Sequence, residues 1–336
     1  MAKVAINGLG RIGRAAFKII LGTPELELVA VNDLTHVENL AYLLKYDTVY
    51  GRYDKTVEYD AQHLIVEDKK YLVLSEKDPA QLPWRRLGVD FVFECTGRFT
   101  NREDLQKHIT AGAKHACLSA PSKSDEVVSV VHGVNEPEHS SRLISCASCT
   151  TNCITPVVEI MERRIGVRKA IMTTIHAYTS SQAIIDGPNK RMRRGRAGAA
   201  NLVPASSGAA IATTKSLPQL AGRFDGLAVR VPVPVGSIAD INFVTARETS
   251  IEEVNSIFRE EAQSERYKEI LGVTEDQIVS SDVIKDPRAS VVDLSLTQVV
   301  DGDLVKVMSW YDNEWGYTNQ MIKEAVRIAG REALTG

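Results

Sequence analysis

A glycine-rich turn near the N-terminus constrains the fold of this chain more than any other feature. The turn, Gly8-Leu9-Gly10-Arg11-Ile12-Gly13, follows a short apolar run at Val4–Asn7 and opens residues 11–21, whose apolar side chains have helical spacing. Between a strand and a helix, the first glycine permits a tight turn, the second lets a ligand approach the backbone, and the third lets the helix pack closely. Free N–H groups at the helix N-terminus favour a pyrophosphate. The sequence therefore predicts a dinucleotide cradle made by Gly8, Gly10, Arg11, Ile12 and Gly13.

An acidic residue at the end of the next predicted strand supports this prediction. Asp33 follows the apolar run 26–31 and lies 20 residues after Gly13, where a carboxylate accepts the hydroxyls of the adenosine ribose. A 2′-phosphate beside that carboxylate would add a repulsion of about 1–4 kcal/mol at ~4 Å. Leu34, Thr35 and His36 follow and bring no guanidinium to offset it. NAD is therefore predicted rather than NADP.

Length and composition narrow the class of protein. A chain of 336 residues with 44% hydrophobic and 25% charged residues suggests about two globular domains. The net charge of −3 and the 6% aromatic content give little reason to expect nucleic acid as a main partner. No apolar run approaches the ~18 residues of a membrane span, and five cysteines with one tight cluster indicate a reducing compartment. We expect a cytoplasmic enzyme without a membrane partner.

The order of strand and helix patterns predicts two kinds of domain. Up to about residue 148, strand runs at 26–31, 89–95 and 115–118 alternate with helix patterns at 37–45 and 102–112, which is typical of βαβ units and a mainly parallel sheet. The fold class is therefore α/β, with an N-terminal Rossmann domain over residues 1–148 and an α+β catalytic domain over residues 149–313 on a mainly antiparallel sheet. In this second part, strands are predicted at 170–175, 227–232, 238–247, 291–299 and 304–311, and helices at 152–165, 208–217 and 250–265. Asp301-Gly302-Asp303 predicts a hairpin turn. The helix 314–334 could pack on either domain by its pattern, and we assign it to the first.

Three cysteines lie close together at the predicted domain boundary. Cys146, Cys149 and Cys153 fall within eight residues, so a Cys146–Cys149 redox pair, a metal site or three buried small residues are all alternatives to a single nucleophile. A structural zinc or iron–sulfur site usually needs four ligands, and the two other cysteines lack a matching paired spacing. No metal is therefore predicted.

Helix capping favours the single nucleophile. Ser148 is a plausible N-cap for a helix over 150–165, which places Cys149 in the first turn, where the helix dipole favours thiolate over thiol. A catalytic cysteine needs a proton acceptor, and His176, at the end of the strand 170–175, is the candidate. A lone histidine at a strand end is more often structural, so the case for His176 depends on Cys149.

A basic run lies in the irregular segment between residues 176 and 203. Lys190-Arg191-Met192-Arg193-Arg194-Gly195-Arg196 carries five cations in seven residues. Such a run is ordinarily a solvated loop, and a nucleic-acid patch is a second interpretation. Long segments without secondary structure in compact domains are usually functional or disordered.

Several segments together resemble the phosphorylating glyceraldehyde-3-phosphate dehydrogenases. The resemblance runs from end to end and is most specific at the cysteine motif. The segments that carry it are Asn7–Gly13, Ala147-Ser148-Cys149-Thr150-Thr151-Asn152-Cys153, His176-Ala177-Tyr178-Thr179, Pro204–Ala210, Arg230-Val231-Pro232 and Trp310–Tyr317.

The resemblance implies a chemistry and a set of site residues. Cys149 would attack the aldehyde of glyceraldehyde 3-phosphate, His176 would take the proton, NAD would accept a hydride, and inorganic phosphate would release the thioester as 1,3-bisphosphoglycerate. The implied cofactor residues, besides the cradle and Asp33, are Thr96, Ser119, Asn313 and Tyr317. The substrate phosphate is assigned to Arg194, Arg230, Thr179 and Ser181, and the attacking phosphate to Ser148, Thr150, Ser207 and Gly208. A homotetramer is also implied.

Two other functions remain as alternatives. Erythrose-4-phosphate dehydrogenase is a sister enzyme with the same thiol and histidine, but this chain keeps the phosphate-binding hydroxyls at Thr179 and Ser207. A redox sensor or RNA-binding protein could use Cys149 and the basic run without catalysis. This chain also departs from the family where it has Cys146, often Asn, which allows a disulfide with Cys149 under oxidation.

Overall fold

The computed structural model describes residues 1–335 and separates them into two compact units. The first unit comprises Met1–His132, Glu136–Ala147 and residues 321–335, and the second comprises Gly133–Asn135 and Ser148–Gln320. Each unit is built on one large sheet. None of the helices within residues 1–335 is both long and apolar enough to cross a membrane.

The first unit contains a mainly parallel sheet with helices between its strands. The strand order is β10-β11-β9-β8-β1-β2-β7-β6-β5, and only the pairs β5–β6 and β6–β7 are antiparallel. The strands are β1 (Ala2–Asn7), β2 (Leu26–Asn32), β5 (Val57–Tyr59), β6 (His63–Val66), β7 (Lys69–Leu74), β8 (Phe91–Glu94), β9 (His115–Leu118), β10 (Val128–Ser129) and β11 (Leu143–Ser145), while β3 (Tyr46–Asp47) and β4 (Gly51–Arg52) form a separate ribbon. The helices are α1 (Arg11–Ile20), α2 (Val37–Lys45), α3 (Trp84–Leu87) and α4 (Arg102–Thr110).

The order of these strands places a binding edge. The chain adds β2 and β7 on one side of β1 and then returns to add β8, β9 and β11 on the other side. In doubly wound sheets, ligands bind at the carboxyl ends of the strands where the order reverses. The strand order reverses between β1 and β8. Gly8 is the first residue after β1, and Cys95 is the first residue after β8.

The second unit contains a mixed, mainly antiparallel sheet. Its order is β13-β14-β12-β15-β19-β17-β16, with β18 paired to β19, and only β12–β14 and β16–β17 are parallel pairs. The strands are β12 (Val167–Ala177), β13 (Val203–Ser206), β14 (Phe224–Val231), β15 (Ser237–Thr245), β16 (Leu271–Thr274), β17 (Ser290–Asp293), β18 (Gln298–Val300) and β19 (Leu304–Tyr311). The helices are α5 (Cys149–Arg164), α6 (Ala209–Ser216), α7 (Ile251–Gln263) and α8 (Trp315–Thr335), and the part of α8 from Met321 belongs to the first unit.

Helix α5 lies in the core of the second unit. Every residue from Thr150 to Met161 is buried, as expected for a helix covered on all sides rather than on one face. Ile154, Val157 and Met161 join strand residues such as Ile241 and Phe243 in one apolar cluster. The N-terminus of α5 is therefore held by extensive packing.

The predicted fold class is confirmed, but one predicted strand is wrong. The run 291–299 was expected to be continuous, whereas the chain forms β17, a 3-10 turn at Leu294–Leu296 and then β18. Asp293 starts the turn because its side chain accepts a hydrogen bond from Ser295 N, which draws the backbone out of the strand. The hairpin at Asp301-Gly302-Asp303 is confirmed, since Val300 pairs with Leu304 and Gly302 has a φ of 73°.

Candidate active site

The glycine cradle in the first unit leaves no room for side chains at two of its three glycines. A Cβ on Gly8, whose φ is 93°, would lie 2.8 Å from Thr96 N, and one on Gly13 would lie 1.9 Å from Gly8 O. A Cβ on Gly10 would meet nothing within 4 Å, so the open space lies at the middle glycine. Gly10 is also the N-cap of α1, and no side chain caps this helix. The cradle therefore fits a phosphate-bearing group that approaches the backbone at Gly10.

Asp33 is bonded to the cradle. Its carboxylate accepts Leu9 N at 2.7 Å and Thr35 N at 2.9 Å, which fixes it beside the turn. Arg11, by contrast, directs its guanidinium to Asp47 at 2.5 Å. A role of Arg11 in holding a cofactor would therefore fall to its backbone N–H.

Thr96 and Ser119 lie at the same sheet edge as the cradle. Thr96 follows β8 directly beside Gly8, and Ser119 follows β9, where Ser119 N donates to Glu94 O at 3.0 Å. Both residues are partly exposed. The structure therefore brings the predicted cofactor residues of the first unit to one edge.

The candidate nucleophile is the first residue of α5, as predicted from the sequence. Ser148 is the N-cap, and its hydroxyl accepts Thr151 N at 3.1 Å, an interaction that stabilises such a helix by about 1 kcal/mol. Ala147 just before it has a φ of 54°, a left-handed conformation that costs a non-glycine residue about 1 kcal/mol. This sharp turn and the cap deliver Cys149 to the positive end of a helix.

Cys149 and His176 lie together in the second unit. Cys149 Sγ is 3.4 Å from His176 Nε2, although 27 positions separate the two residues in the chain. His176 lies near the end of β12 and is buried. The distance suits transfer of the thiol proton to the imidazole.

The surroundings of His176 decide which nitrogen can act as the base. His176 Nδ1 lies 2.7 Å from Ala177 O and 2.7 Å from Arg230 Nη1, and that Nη1 also donates to Ala177 O at 3.0 Å. If Nδ1 accepted from Arg230, Nε2 would carry the proton and could not receive one from Cys149. When Nδ1 instead donates to the carbonyl, Nε2 presents a lone pair to the thiol.

Electrostatics favour a neutral imidazole. Burial, and then the Arg230 charge, lower the pKa of His176 to about 3. Burial raises the pKa of Cys149, while Arg230 and the N–H groups of Cys149 and Thr150 oppose that rise. The Arg230 cation thus stabilises the thiolate and disfavours the imidazolium.

Two guanidiniums in the second unit have unpartnered nitrogen atoms. Arg194 Nε and Arg230 Nε are both buried without a hydrogen-bond partner among the described residues. Burial and then the charge of Arg230 lower the pKa of Arg194, so the two cations repel each other. Ser181 Oγ accepts a bond from Arg194 and lies 2.8 Å from Thr179 Oγ1. Because an anion would satisfy both donors and relieve the repulsion, this cluster fits a phosphate.

The hydroxyls predicted for a second phosphate lie at helix starts and already have protein partners. Ser148 caps α5, and Thr150 Oγ1 is 3.0 Å from Tyr311 Oη. Ser207 Oγ accepts Ala209 N at 3.2 Å, and Gly208 is the exposed N-cap of α6. Helices α5 and α6 are joined by a bond between Thr155 and Thr213. These contacts leave the roles of Ser148, Thr150, Ser207 and Gly208 as predictions.

Asn313 is oriented by bonds to its carbonyl oxygen. Asn313 Oδ1 accepts Gly236 N at 3.1 Å and Ser237 Oγ at 3.0 Å, so Nδ2 is the group that remains to serve a ligand. Tyr317 is buried in the first turn of α8. Their assignment to the cofactor stays a prediction.

Sequence reasoning did not single out Tyr311. Its hydroxyl lies 3.0 Å from Thr150 Oγ1 and 2.7 Å from Thr174 Oγ1, and its ring meets His176 edge-on at 6.0 Å. Tyr311 is buried, and burial raises its pKa. In a strand, an inward-facing tyrosine fits the same alternating pattern as any other core residue. The sequence pattern therefore gives no signal that distinguishes Tyr311.

Fold and site together define a class of protein. A Rossmann sheet with a glycine cradle, and a separate unit with a helix-capped thiol, an imidazole and buried guanidiniums, are typical of dehydrogenases that oxidise phosphorylated aldehydes through a cysteine. Among the described residues, no group of three or more His, Cys, Asp or Glu side chains could hold a metal ion.

Comparison with known proteins identifies the family. Residues 2–102 match the description "Glyceraldehyde 3-phosphate dehydrogenase, NAD binding domain", and residues 148–313 match "Glyceraldehyde 3-phosphate dehydrogenase, C-terminal domain". The chain belongs to the glyceraldehyde-3-phosphate dehydrogenase family, which confirms the resemblance drawn from its motifs and the prediction of NAD as cofactor.

Curated relatives agree over almost the whole chain. The glyceraldehyde-3-phosphate dehydrogenase of Zymomonas mobilis is 44% identical over 97% of this chain and 98% of the relative. The glyceraldehyde-3-phosphate dehydrogenase of Streptomyces coelicolor is 46% identical over 98% of this chain and 99% of the relative. The glyceraldehyde-3-phosphate dehydrogenase of Geobacillus stearothermophilus is 44% identical over 98% of this chain and 98% of the relative. The erythrose-4-phosphate alternative is not favoured by these names.

Proposed function

We propose that this protein oxidises D-glyceraldehyde 3-phosphate with NAD and inorganic phosphate to 1,3-bisphosphoglycerate. The observation that carries the proposal is the Cys149–His176 pair at 3.4 Å beside Arg230, one of the two guanidiniums with an unpartnered buried Nε. Membership of the family supports the same reaction.

Proton handling follows from the geometry of the thiol–imidazole pair. Cys149 Sγ attacks the aldehyde carbon as its proton passes to His176 Nε2, and the imidazolium then protonates the carbonyl oxygen, which gives a thiohemiacetal and returns His176 to its neutral form. The backbone N–H groups of Cys149 and Thr150, which act to lower the pKa of Cys149, would stabilise a developing oxyanion beside the sulfur. The neutral imidazole of His176 then takes the hydroxyl proton of the thiohemiacetal, and NAD, when bound, would supply the hydride acceptor for this carbon. Phosphate then attacks the resulting thioester, and Cys149 departs as a thiolate.

The cationic cluster would position the substrate. The phosphate of the aldehyde would accept bonds from Arg194, Arg230, Thr179 and Ser181, which fixes the distance of the reacting carbon from the anchored end. The attacking phosphate would be held by Ser148, Thr150, Ser207 and Gly208 at the starts of α5 and α6. Both assignments rest on the family pattern together with the donors described above.

The domain and cofactor assignments are part of the proposal. Residues 1–148 would bind NAD, and residues 149–313 would bind the sugar phosphate. Gly8, Gly10 and Gly13 would hold the pyrophosphate, and Asp33 the ribose. Arg11, Ile12, Thr96, Ser119, Asn313 and Tyr317 complete the proposed cofactor residues.

Self-association as a homotetramer is also proposed. Ile184, Ile185, Met192 and Leu202 are between 70% and 89% exposed and all lie in the segment between β12 and β13. Several exposed large apolar side chains in one segment are typical of an interaction surface. A cytoplasmic location is proposed because all five cysteines are free thiols. Light scattering coupled to size exclusion should give four times the mass of 36.9 kDa.

The reaction is tested by following nicotinamide reduction with two sugars. Glyceraldehyde 3-phosphate should be oxidised rapidly only when inorganic phosphate is present, and erythrose 4-phosphate should be a poor substrate. Efficient oxidation of erythrose 4-phosphate without phosphate would instead support the sister enzyme. Absence of reduction with either sugar would refute a catalytic function.

A further inference from the structure

A charged side chain is buried under the predicted cofactor edge of the first unit. Glu94 is the last residue of β8 and has no exposed surface, although the rest of β8, Phe91-Val92-Phe93, is apolar. The carboxyl group lies between the ends of β1 and β8, where the strand order reverses. A buried carboxylate is costly unless it is fully hydrogen-bonded, so its partners identify what it holds.

Four donors surround the Glu94 carboxylate. Oε1 accepts Thr96 N at 2.8 Å and the Thr96 hydroxyl, and Oε2 accepts Asn7 Nδ2 at 2.6 Å and His108 Nε2 at 3.0 Å. The tautomer of His108 is fixed because its Nδ1 accepts Trp84 Nε1 at 3.1 Å, which leaves Nε2 as the donor. Since every partner is a donor, the carboxylate acts only as an acceptor.

These bonds connect Glu94 to the walls of the cradle. Thr96 N lies 2.8 Å from the position of a Cβ on Gly8, so the Thr96 loop packs directly against the first glycine. Asn7 immediately precedes Gly8, and its Oδ1 accepts Asn32 Nδ2 at 2.7 Å. Asn32 in turn precedes Asp33, and Asn32 O accepts Gly8 N at 2.8 Å. One carboxylate thus links the ends of β1 and β8 directly and the end of β2 through Asn7.

We infer that Glu94 is a positioning residue for the dinucleotide, acting through Thr96 and Asn7 on the shape of the glycine cradle. His108 donates to Glu94 and is itself bonded to Trp84, and neither residue is part of the glycine turn. The inference rests on the proposed cofactor site, and NAD binding by the wild-type protein tests that site separately.

The test is the substitution Glu94→Gln, which keeps the size of the side chain. The glutamine amide replaces one carboxylate oxygen with an NH2 group. In one orientation this NH2 group faces the two donors of Thr96, and in the other it faces the donors of Asn7 and His108, so hydrogen bonds are lost in both. The dissociation constant for NAD, measured by equilibrium titration, should rise about tenfold, which is the loss of one charge-assisted hydrogen bond. KM for NAD should rise similarly, while kcat at saturating NAD changes less than about threefold.

A matched control is available in the same unit. Glu324 is also a buried glutamate bonded to a histidine, with His132 Nδ1 at 2.9 Å, and it is paired with Arg327. Glu324→Gln should leave the NAD dissociation constant within about twofold of the wild type, even if its thermal stability falls. If Glu94→Gln does not fold, His108→Asn replaces it, because it removes one donor to Glu94 from outside the cradle.

The outcomes distinguish positioning from a purely structural role. Weaker NAD binding in Glu94→Gln or His108→Asn, with unchanged iodoacetamide reactivity of Cys149 and normal binding in Glu324→Gln, would support the inference. Wild-type affinity in the Glu94 variant, or equal weakening in both glutamate variants, would overturn it. Failure of the wild-type protein itself to bind NAD would refute the proposed cofactor site instead.

Discussion

The nucleotide cradle of the first unit and the thiol site of the second unit differ in how fully their buried polar atoms are bonded. Glu94 beneath the cradle has four donors for its two oxygens, whereas Arg194 and Arg230 each keep a buried Nε without a partner. A satisfied network is rigid and holds backbone N–H groups in place for a ligand. The two guanidiniums repel each other, and each has a buried Nε without a partner. Both effects raise the free energy of the unliganded site, and a bound anion would lower it. In the first region, hydrogen bonds fix the shape of the backbone before a ligand binds. In the second region, the excess positive charge favours the binding of an anion.

The largest expected effect comes from removing the nucleophile of the charged region. Cys149→Ser should lower turnover by roughly a thousandfold or more, since the covalent route is lost. NAD binding should stay within about twofold, because the cradle belongs to the first unit. Steady-state assays and a NAD titration measure the two quantities. Cys146→Ser is the control and should keep activity within about threefold in reducing buffer, and near-complete loss there would favour the redox-pair interpretation.

The next effect tests the two guanidiniums whose buried Nε atoms have no partner among the described residues. Arg194→Ala should raise KM for glyceraldehyde 3-phosphate about 10–100-fold, as expected for lost hydrogen bonds to a charged group. The same variant should melt at a higher temperature than the wild type without phosphate, because one of two repelling buried cations is gone. Thermal scans with and without phosphate provide the comparison. The control is Arg193→Ala at an exposed neighbouring position. Equal changes of KM and melting temperature in the two variants would contradict a specific role of Arg194.

A smaller effect concerns the pH dependence of the thiol. Burial raises the pKa of Cys149, so its thiolate fraction grows as the pH rises through that pKa. His176→Asn removes the lone pair at 3.4 Å that accepts the thiol proton. Near neutral pH, where the thiol needs this base, the iodoacetamide alkylation rate should fall about tenfold, and the difference from the wild type should shrink as the pH approaches the pKa of Cys149. The exposed His139→Asn variant should alkylate like the wild type, and a wild-type rate at neutral pH in His176→Asn would refute the assignment.

The smallest effect tests the cradle region. The wild type should prefer NAD over NADP in kcat/KM, and Asp33→Ser should narrow that preference about fivefold or more, at the lower end of the expected repulsion. Asp90, which accepts Lys3 N at 2.8 Å before β8 begins, provides the control substitution Asp90→Asn. A wild-type preference for NADP would contradict the role of Asp33.

The two regions also differed in how much could be predicted from sequence. Tight turns, strand ends at a binding edge and helix N-termini each favour particular residue types. The glycines, Asp33 and the Ser148 cap can therefore be recognised from the sequence. The hairpin at Asp301-Gly302-Asp303 is visible for the same reason. Such patterns predict the glycine turn and Asp33, whereas Thr96 and Ser119 at the same sheet edge came only from the family resemblance.

Features that depend on distant contacts could not be read in this way. The residue pattern alone does not show that Arg230, on β14, meets His176 on β12, so its role came only from the family resemblance. Glu94 was missed, although a single acid in an apolar strand was a usable signal. The strand predicted at 291–299 failed because the side chain of Asp293 bends the backbone, which hydrophobic periodicity does not detect.

The most direct test of the account is a single-turnover experiment without phosphate. Enzyme mixed with excess NAD and glyceraldehyde 3-phosphate should reduce about one nicotinamide per Cys149 and then stop, because the thioester has no acceptor. Peptide mass mapping should find the acyl group on the peptide that contains Cys149, and added phosphate should restart turnover. Continuous reduction without phosphate, or an acyl group on another residue, would contradict a phosphate-dependent thioester at Cys149.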